Sequence, residues 1–270
     1  MPLLRVGIVL YQNPPDELRR LATSLMRSVL PPGLRVEAQL LDNSADDRLD
    51  RLVREVLPEA RYRWTGQNRG FGATHNLGMR EAFGGGADAY LCLNPDARLH
   101  PDCLASLWAA GAAPRTGLVD ARTFPEEHPK PYDPVTGDTP WCTGTALLVT
   151  RAAFDATGGF DEALFLYGED VDLSWRVRAA GLRTRTAASA LVVHWVEYRP
   201  LERERQLRVL RSAAYLGRKW GAASFARSHE RLFRALAGRT LEPPHLEAMP
   251  RGARAVADFR HGVRFARSRW

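Results

Sequence analysis

Three carboxylates stand within four residues at Glu169, Asp170 and Asp172. An ionised carboxylate can take the proton of a hydroxyl as that hydroxyl attacks, so the cluster is a candidate general base with two supporting acids. The same residues also suit the first turn of a helix, where free backbone N–H groups and the positive dipole end favour negative charge. Leu173–Ala180 reads as that helix, so both readings stand at this point. Immediately upstream, Gly158-Gly159-Phe160-Asp161-Glu162 supplies a bend, and Leu164 to Tyr167 supplies an apolar body.

The other chemistry-bearing residues end apolar runs. Asp42 follows Leu34–Leu41 and opens Asp42-Asn43-Ser44. A carboxylate there can accept from a ribose hydroxyl or a base imide, or it can close an Asx-turn. Asn94-Pro95-Asp96 follows Tyr90–Leu93; Asp96 can hold a divalent cation that bridges a diphosphate, or the tripeptide is a proline turn. His194 ends Leu191-Val192-Val193. It is either a satisfied core histidine or a metal ligand better suited to Mn2+ than to Mg2+. The stretch Asn68 to Gly78 runs from a loop into a helix, and its glycines permit close backbone approach to a phosphate at the helix start. It matches neither a Walker A nor a G-x-G-x-x-G pattern. His75 within it reads as a helix-surface histidine.

The elements that must position these residues alternate. Arg5–Tyr11 is a continuous apolar run, as expected for a strand buried on both faces. Pro14-Pro15-Asp16-Glu17 starts a helix, carried by Leu18, Leu21, Leu25, Met26 and Val29 at helical spacing. Strand Leu34–Leu41, helix 47–57, strand Ala60–Trp64, helix to Phe83, strand Ala87–Leu93 and helix Pro101–Ala110 follow. This is βαβ spacing, so the class is α/β with a mostly parallel sheet flanked by helices. In such sheets ligands bind beyond the carboxyl ends of the strands, where Gln12-Asn13, Asp42-Asn43-Ser44 and Asn94-Pro95-Asp96 all lie. Ala121 to Pro140 holds five prolines and reads as a long loop or lid ending at Trp141. Cys142–Thr150 reads as a strand, Arg151–Thr157 as a short helix, and Leu182–Thr186 and Ala190–His194 as two short strands. From about Pro200 the chain is helical, with a separate last segment ending in Arg267-Ser268-Arg269-Trp270.

Charge divides the chain at the same place. Residues 199–270 hold 17 of the 38 Lys and Arg but 6 of the 31 Asp and Glu, a net +11, leaving residues 1–198 at −4. Such a basic helical extension can meet anionic membrane or an acidic partner. It contains no recognisable nucleic-acid module. The three cysteines, Cys92, Cys103 and Cys142, have no metal-like spacing and fit a reducing cytosol. There is no apolar run of bilayer length and no signal-peptide pattern at the N-terminus, so the expected location is cytoplasmic.

From about Val6 to His194 the order of these pieces resembles the inverting family 2 glycosyltransferases of GT-A fold, a Rossmann-like architecture, and in particular the rhamnosyltransferase-like and galactofuranosyltransferase-like branch. The likeness rests on Asp42-Asn43-Ser44, Asn68 to Gly78, Asn94-Pro95-Asp96 where the family has Asp-x-Asp, Thr143 to Val149, Gly158-Gly159-Phe160-Asp161-Glu162, Glu169-Asp170-Val171-Asp172-Leu173, Arg176, Gly181 and His194. It implies a catalytic domain over 1–198, with the basic helices of 199–270 packed on it. It also implies transfer of a sugar from a nucleoside diphosphate, dTDP-L-rhamnose or a UDP-sugar, to the hydroxyl of a glycan, lipid-linked or small-molecule acceptor, in cell-surface glycan synthesis. Asp170 takes the role of base in that resemblance. Asp96 and His194 hold Mn2+ or Mg2+. Tyr11, Asp42, Asn68, Gly70, Asn76, Asn94, Trp141, Glu169 and Asp172 line the substrates. Asn94 replaces the first acid of Asp-x-Asp, which removes one charge from the metal site. The competing expectation is a nucleotide-sugar-binding or scaffold protein of the same fold without turnover. Against it stands the joint presence of Asp96, Asp170 and His194. The basic helices, in this picture, bring the enzyme peripherally to the inner membrane face.

Overall fold

The computed structural model describes residues 1–194, 203–242, 246 and 248–260. In chain order the elements are β1 (Leu3–Leu10), α1 (Pro15–Met26), β2 (Arg35–Asp42), α2 (Leu49–Val56), β3 (Arg61–Trp64), α3 (Phe71–Gly84), β4 (Ala89–Leu93), β5 (Ala97–Leu99), α4 (Cys103–Gly111), β6 (Thr116–Phe124), β7 (Ala146–Thr150), α5 (Arg151–Thr157), α6 (Glu169–Ala179), β8 (Arg183–His194), α7 (Arg203–Lys219) and α8 (Ala223–Ala237). Of the last segment expected from the sequence, residues 246 and 248–260 are described, with a 3-10 turn at Ala253–Val256, and residues 261–270 lie outside the described residues.

The eight strands form one sheet in the order β3-β2-β1-β4-β7-β6-β8-β5. The β3-β2-β1-β4 half is parallel throughout. β7 runs antiparallel between β4 and β6, β6 and β8 are parallel, and β5 closes the edge antiparallel to β8. All five residues of β4 are buried, as a strand covered on both faces requires. One face packs Val6, Ile8, Leu40 and Leu91 against Leu18 and Leu21 of α1 and Leu104 of α4. The other packs Tyr90, Cys92, Leu147 and Val149 against Met79 of α3, Leu173 of α6 and Phe160. Burying each such side chain contributes about 1.5–3 kcal/mol. α3 lies close to the sheet because Gly7 and Gly78 leave room for the Tyr90 hydroxyl. A Cβ at Gly7 would fall 1.6 Å from that oxygen and one at Gly78 2.3 Å from it.

Three expectations change. β6 is a strand that the sequence reading does not name, and its last four residues, Ala121 to Phe124, lie in the stretch expected as loop, because Arg122, Thr123 and Phe124 pair with Leu191, Val192 and Val193. The two short strands expected after Gly181 are one strand, β8, whose register against β6 slips after Ala187. β7 begins at Ala146 rather than Cys142, since the intervening N–H groups bond to side chains rather than to a neighbouring strand: Cys142 to Ser174 Oγ, Thr143 to Asp120 Oδ2 and Gly144 to Asp170 Oδ2.

Candidate active site

β2, β1 and β4 are adjacent and parallel, so their carboxyl ends bring three polar turns side by side. At the β1 end Tyr11 is exposed, and the Gln12 N–H donates to Ser44 Oγ at 2.8 Å. Asp42, at the end of β2, is fully buried. Its Oδ1 accepts the Ser44 N–H and its Oδ2 accepts the Tyr62 hydroxyl, both at 2.8 Å. The Asx-turn reading therefore describes this carboxylate, and partial burial with the bond to Asp42 pushes the Tyr62 phenol above its ordinary pKa. The Trp64 indole N–H donates to the Ser44 carbonyl at 2.9 Å while the ring stays partly exposed. Tyr11 and Trp64 thus stand at the ends of β1 and β3, on either side of the polar turn that ends β2.

The Asn68–Gly78 stretch is tied to this turn by Asn43, whose Nδ2 donates to Thr74 Oγ1 at 2.8 Å and to the Gly70 carbonyl at 3.2 Å. Asn68 Oδ1 accepts the Gly70 N–H at 3.0 Å, which shapes the loop at the start of α3. Asn76 faces inward. Its Oδ1 accepts the Phe160 N–H and its Nδ2 donates to the Phe160 carbonyl, at 2.8 and 2.9 Å. It splints the Gly158–Glu162 bend onto α3. That bend needs glycine: Gly159 sits at φ +94°, and a Cβ there would fall 2.3 Å from Asn76 Oδ1. His75 is not a surface histidine; it is fully buried, 3.1 Å from the Tyr90 hydroxyl, and burial lowers its pKa to about 3, so it is neutral.

The turn after β4 meets the end of β8. Ala97 pairs with His194, which leaves His194 Nε2 3.2 Å from Asp96 Oδ2. Asn94 is held beside them by its N–H to the Thr145 carbonyl at 2.9 Å. Among the described residues no third His, Cys, Asp or Glu joins this pair. A carboxylate and an imidazole make a donor set suited to Mn2+. The Asp96 carboxylate is about 44 % exposed, so oxygen ligands from a diphosphate or water have access.

The three clustered acids diverge once folded. Asp170 Oδ2 accepts the Gly144 N–H at 2.9 Å and Oδ1 the Val171 N–H at 2.8 Å. Its pKa is raised, above all by burial; the two N–H donors offset part of that rise, and the nearby Asp120 adds a small upward push. Glu169 is buried beneath α3, and its Oε2 meets no hydrogen-bond partner. Burial, then the charge on Asp170, raises its pKa to about 8. Asp172 belongs to the C-terminal helices instead. Its oxygens accept from Arg176 Nε at 2.7 Å, Lys219 Nζ at 2.9 Å and Trp220 Nε1 at 2.9 Å, and it is fully buried. Lys219 also bonds Asp161, as does the Tyr215 hydroxyl, so α7 is clamped to both ends of the loop from Asp161 to Asp172. Trp141 is buried with Trp175 and Trp220 in the cluster behind that clamp.

Two groups near Asp170 have no signal in the sequence. Asp120, from β6, accepts the Thr143 N–H at 2.8 Å, the Thr186 hydroxyl at 2.7 Å and the buried Lys130 ammonium at 2.7 Å. The backbone of Thr143 and Gly144 therefore bridges an Asp120–Lys130 ion pair on one side and Asp170 on the other.

A mostly parallel sheet flanked by helices, with polar turns at its carboxyl ends, is the GT-A fold. The chain belongs to glycosyl transferase family 2, whose family model matches residues 6–161. It is similar to the N-acetylglucosaminyl-diphospho-decaprenol L-rhamnosyltransferase of Mycobacterium tuberculosis, 28 % identical over 236 residues, which cover 71 % of this chain and 76 % of that one. In fold it is similar to the mannosyltransferase PcManGT from Pyrobaculum calidifontis in complex with GDP-Man and Mn2+, with a TM-score of 0.61 and 16 % identity over 88 % of this chain and 76 % of that one. GalNAc-T7 with UDP, GalNAc and Mn2+ gives a TM-score of 0.65 at 13 % identity, over 87 % of this chain and 56 % of that one. Among the described residues no helix is long and apolar enough to cross a membrane.

Proposed function

We propose that this enzyme transfers a sugar, with inversion, from a nucleoside diphosphate donor to the hydroxyl of a cell-surface glycan or its lipid-linked precursor. The acceptor oxygen attacks the anomeric carbon, the bond to the diphosphate oxygen breaks, and the acceptor proton passes to Asp170. The observation that carries this reading is the unequal environment of two adjacent acids. Two buried carboxylates side by side do not both ionise readily. Glu169, without a partner at Oε2, keeps a proton, while the N–H groups of Gly144 and Val171 favour the ionised form of Asp170. One base suffices for a single in-line displacement.

The donor is dTDP-L-rhamnose or a UDP-sugar, the first supported by the rhamnosyltransferase relative. Its nucleoside lies between Tyr11 and Trp64 at the strand ends, and its diphosphate faces Asn94, Asp96 and the start of α3. Asp96 and His194 would hold Mn2+ or Mg2+, which neutralises charge building on the leaving diphosphate. The basic helices keep the enzyme at the cytoplasmic face of an anionic membrane.

The test is a thermal-shift panel of UDP-, GDP- and dTDP-sugars with and without Mn2+, followed by assay of nucleoside diphosphate release with acceptor. A true donor raises the melting temperature by mass action. Binding without release from any donor–acceptor pair would point to a sugar-nucleotide-binding protein instead.

A further inference from the structure

We propose that Arg205 and Arg208 of α7 form a subsite for a diphosphate on the acceptor, so that the acceptor is a glycosyl diphosphate rather than a neutral glycan end. The inference rests on the reading of Asp170 as the base. Arg208 stacks its guanidinium 5.1 Å from the centre of the Phe165 ring. Arg205 lies 5.9 Å from the Tyr167 ring and donates from Nε to the Tyr167 hydroxyl at 2.8 Å. Both arginines are exposed, and neither has a carboxylate partner among the described residues. Other basic residues of the helical region are already engaged: Arg218 pairs with Glu230, Lys219 with Asp161 and Asp172, and Arg203 bonds the Leu236 carbonyl.

The two arginines are three residues apart and so share one side of α7. Further along that side, Ser212 Oγ donates to the Leu166 carbonyl at 3.0 Å, and Tyr215 and Lys219 hold Asp161. That side of the helix therefore faces the catalytic loop, with Arg205 and Arg208 at its open end. Phe165 links them to the base. It is 38 % exposed, and its carbonyl accepts the Phe71 N–H at 3.0 Å. A point one Cβ out from Gly144 lies 3.3 Å from the Phe71 ring and 3.7 Å from Asp170 Oδ2. The order across the surface is thus base, aromatic rings, guanidinium pair.

A sugar whose hydroxyl meets Asp170 would lay its body along Phe165 and Tyr167 and carry its anomeric substituent towards α7. Two planar guanidinium groups, held over aromatic rings, offer the positive charge and paired N–H donors that two linked phosphates accept. The stacking also fixes the side chains before the ligand arrives, which lowers the entropy cost of binding.

The experiment compares two water-soluble acceptors of the same sugar, N-acetylglucosamine: one carrying a diphosphate with a short prenyl tail, the other an alkyl glycoside of similar length without phosphate. Both are assayed with wild type, Arg208→Gln, Arg205→Gln and the double variant, alongside melting temperature and donor KM. The wild type is expected to prefer the diphosphate acceptor. The double variant should lose roughly 10- to 100-fold in kcat/KM for it. Donor KM, melting temperature and transfer to the alkyl glycoside should hold. Equal transfer by wild type to both acceptors, or a preference that survives in the double variant, would overturn the subsite and leave the glycosyl-transfer reading intact. Equal loss towards both acceptors would overturn it in favour of a loop-holding role. Transfer to neither, with donor still bound, would overturn the acceptor reading and the subsite with it.

Discussion

The Gly144 N–H donates to Asp170 Oδ2 at 2.9 Å, so a backbone dipole rather than a side chain aims the proposed base. An asparagine at position 170 keeps the size of the side chain and loses the basic oxygen. Asp170→Asn should lower turnover by about 10²- to 10⁴-fold, the usual worth of a positioned base. Donor affinity and melting temperature should change little. Normal turnover by a folded Asp170→Asn protein would remove Asp170 from the chemistry.

Behind that hydrogen bond lies the buried Asp120–Lys130 pair, 2.7 Å apart. Removing one partner of a buried pair leaves an uncompensated charge, at a cost of about 3–5 kcal/mol. Lys130→Met should therefore destabilise the protein by about that amount in urea unfolding, and Lys130→Met with Asp120→Asn should recover much of it. A kinetic readout separates support of the base from simple stability. The charge on Asp120 already raises the pKa of Asp170. Exposing that charge by Lys130→Met should move the acid limb of the pH–rate profile to higher pH, and Asp120→Asn should move it lower.

Much of the site's backbone was legible in the sequence, because strand ends, glycines and a helix start carry local signals. Asp42, Asn94, Asp96 and His194 do stand at strand ends on one edge of the sheet. Partner choice was not legible. Asp172 sits in the same first turn as Asp170, yet it bonds Lys219 and Trp220, 47 and 48 residues on. Asn76 lies on a helix that faces the site, yet it bonds Phe160, 84 residues away. Spacing along the chain places a side chain on one side of an element, whereas the partner there is set by long-range packing. Lys130 shows the same limit: among prolines it reads as loop, but its ammonium is buried between Asp120, Thr186 and the Trp141 carbonyl.

The protonated Glu169 has a consequence for stability. Its folded pKa is about 8, against an ordinary 4.5. Between those values the folded protein holds a proton at this group that the unfolded chain has lost, so the contribution of Glu169 to stability falls as pH rises, by up to about 1.4 kcal/mol per pH unit. Glu169→Gln keeps a neutral side chain at every pH and removes this slope. In chemical denaturation from pH 5 to 8 the stability of wild type should fall relative to that of Glu169→Gln as pH rises; parallel profiles would mean that Glu169 is ionised in the fold.

The Asp96–His194 pair predicts a divalent-ion term in donor binding. By calorimetry, Mn2+ should tighten binding of the true donor to wild type, and chelation should abolish the gain. Asp96→Ala should show little difference with and without Mn2+, while its affinity for the free nucleoside is kept, because Tyr11 and Trp64 lie at other strand ends. A full Mn2+ effect in Asp96→Ala would take that residue out of the metal site.

Asp172 is the point where the C-terminal helices and the catalytic loop are joined. Its carboxylate is fully buried and bonded to Arg176, Lys219 and Trp220. Asp172→Ala would leave two cations without this partner, a change of about 3–5 kcal/mol in unfolding free energy by the reasoning applied to the Asp120–Lys130 pair. A substrate ligand would behave differently, raising a KM while leaving the melting temperature alone. Asp172→Asn separates the two roles, since its carbonyl can still accept from Trp220 while the charge that holds Lys219 is lost. Its expected signature is a lower melting temperature with donor KM unchanged, together with a weaker grip of α7 on the loop that Arg205 and Arg208 overhang. Transfer to the diphosphate acceptor should therefore fall more steeply with temperature in Asp172→Asn than transfer to the neutral glycoside.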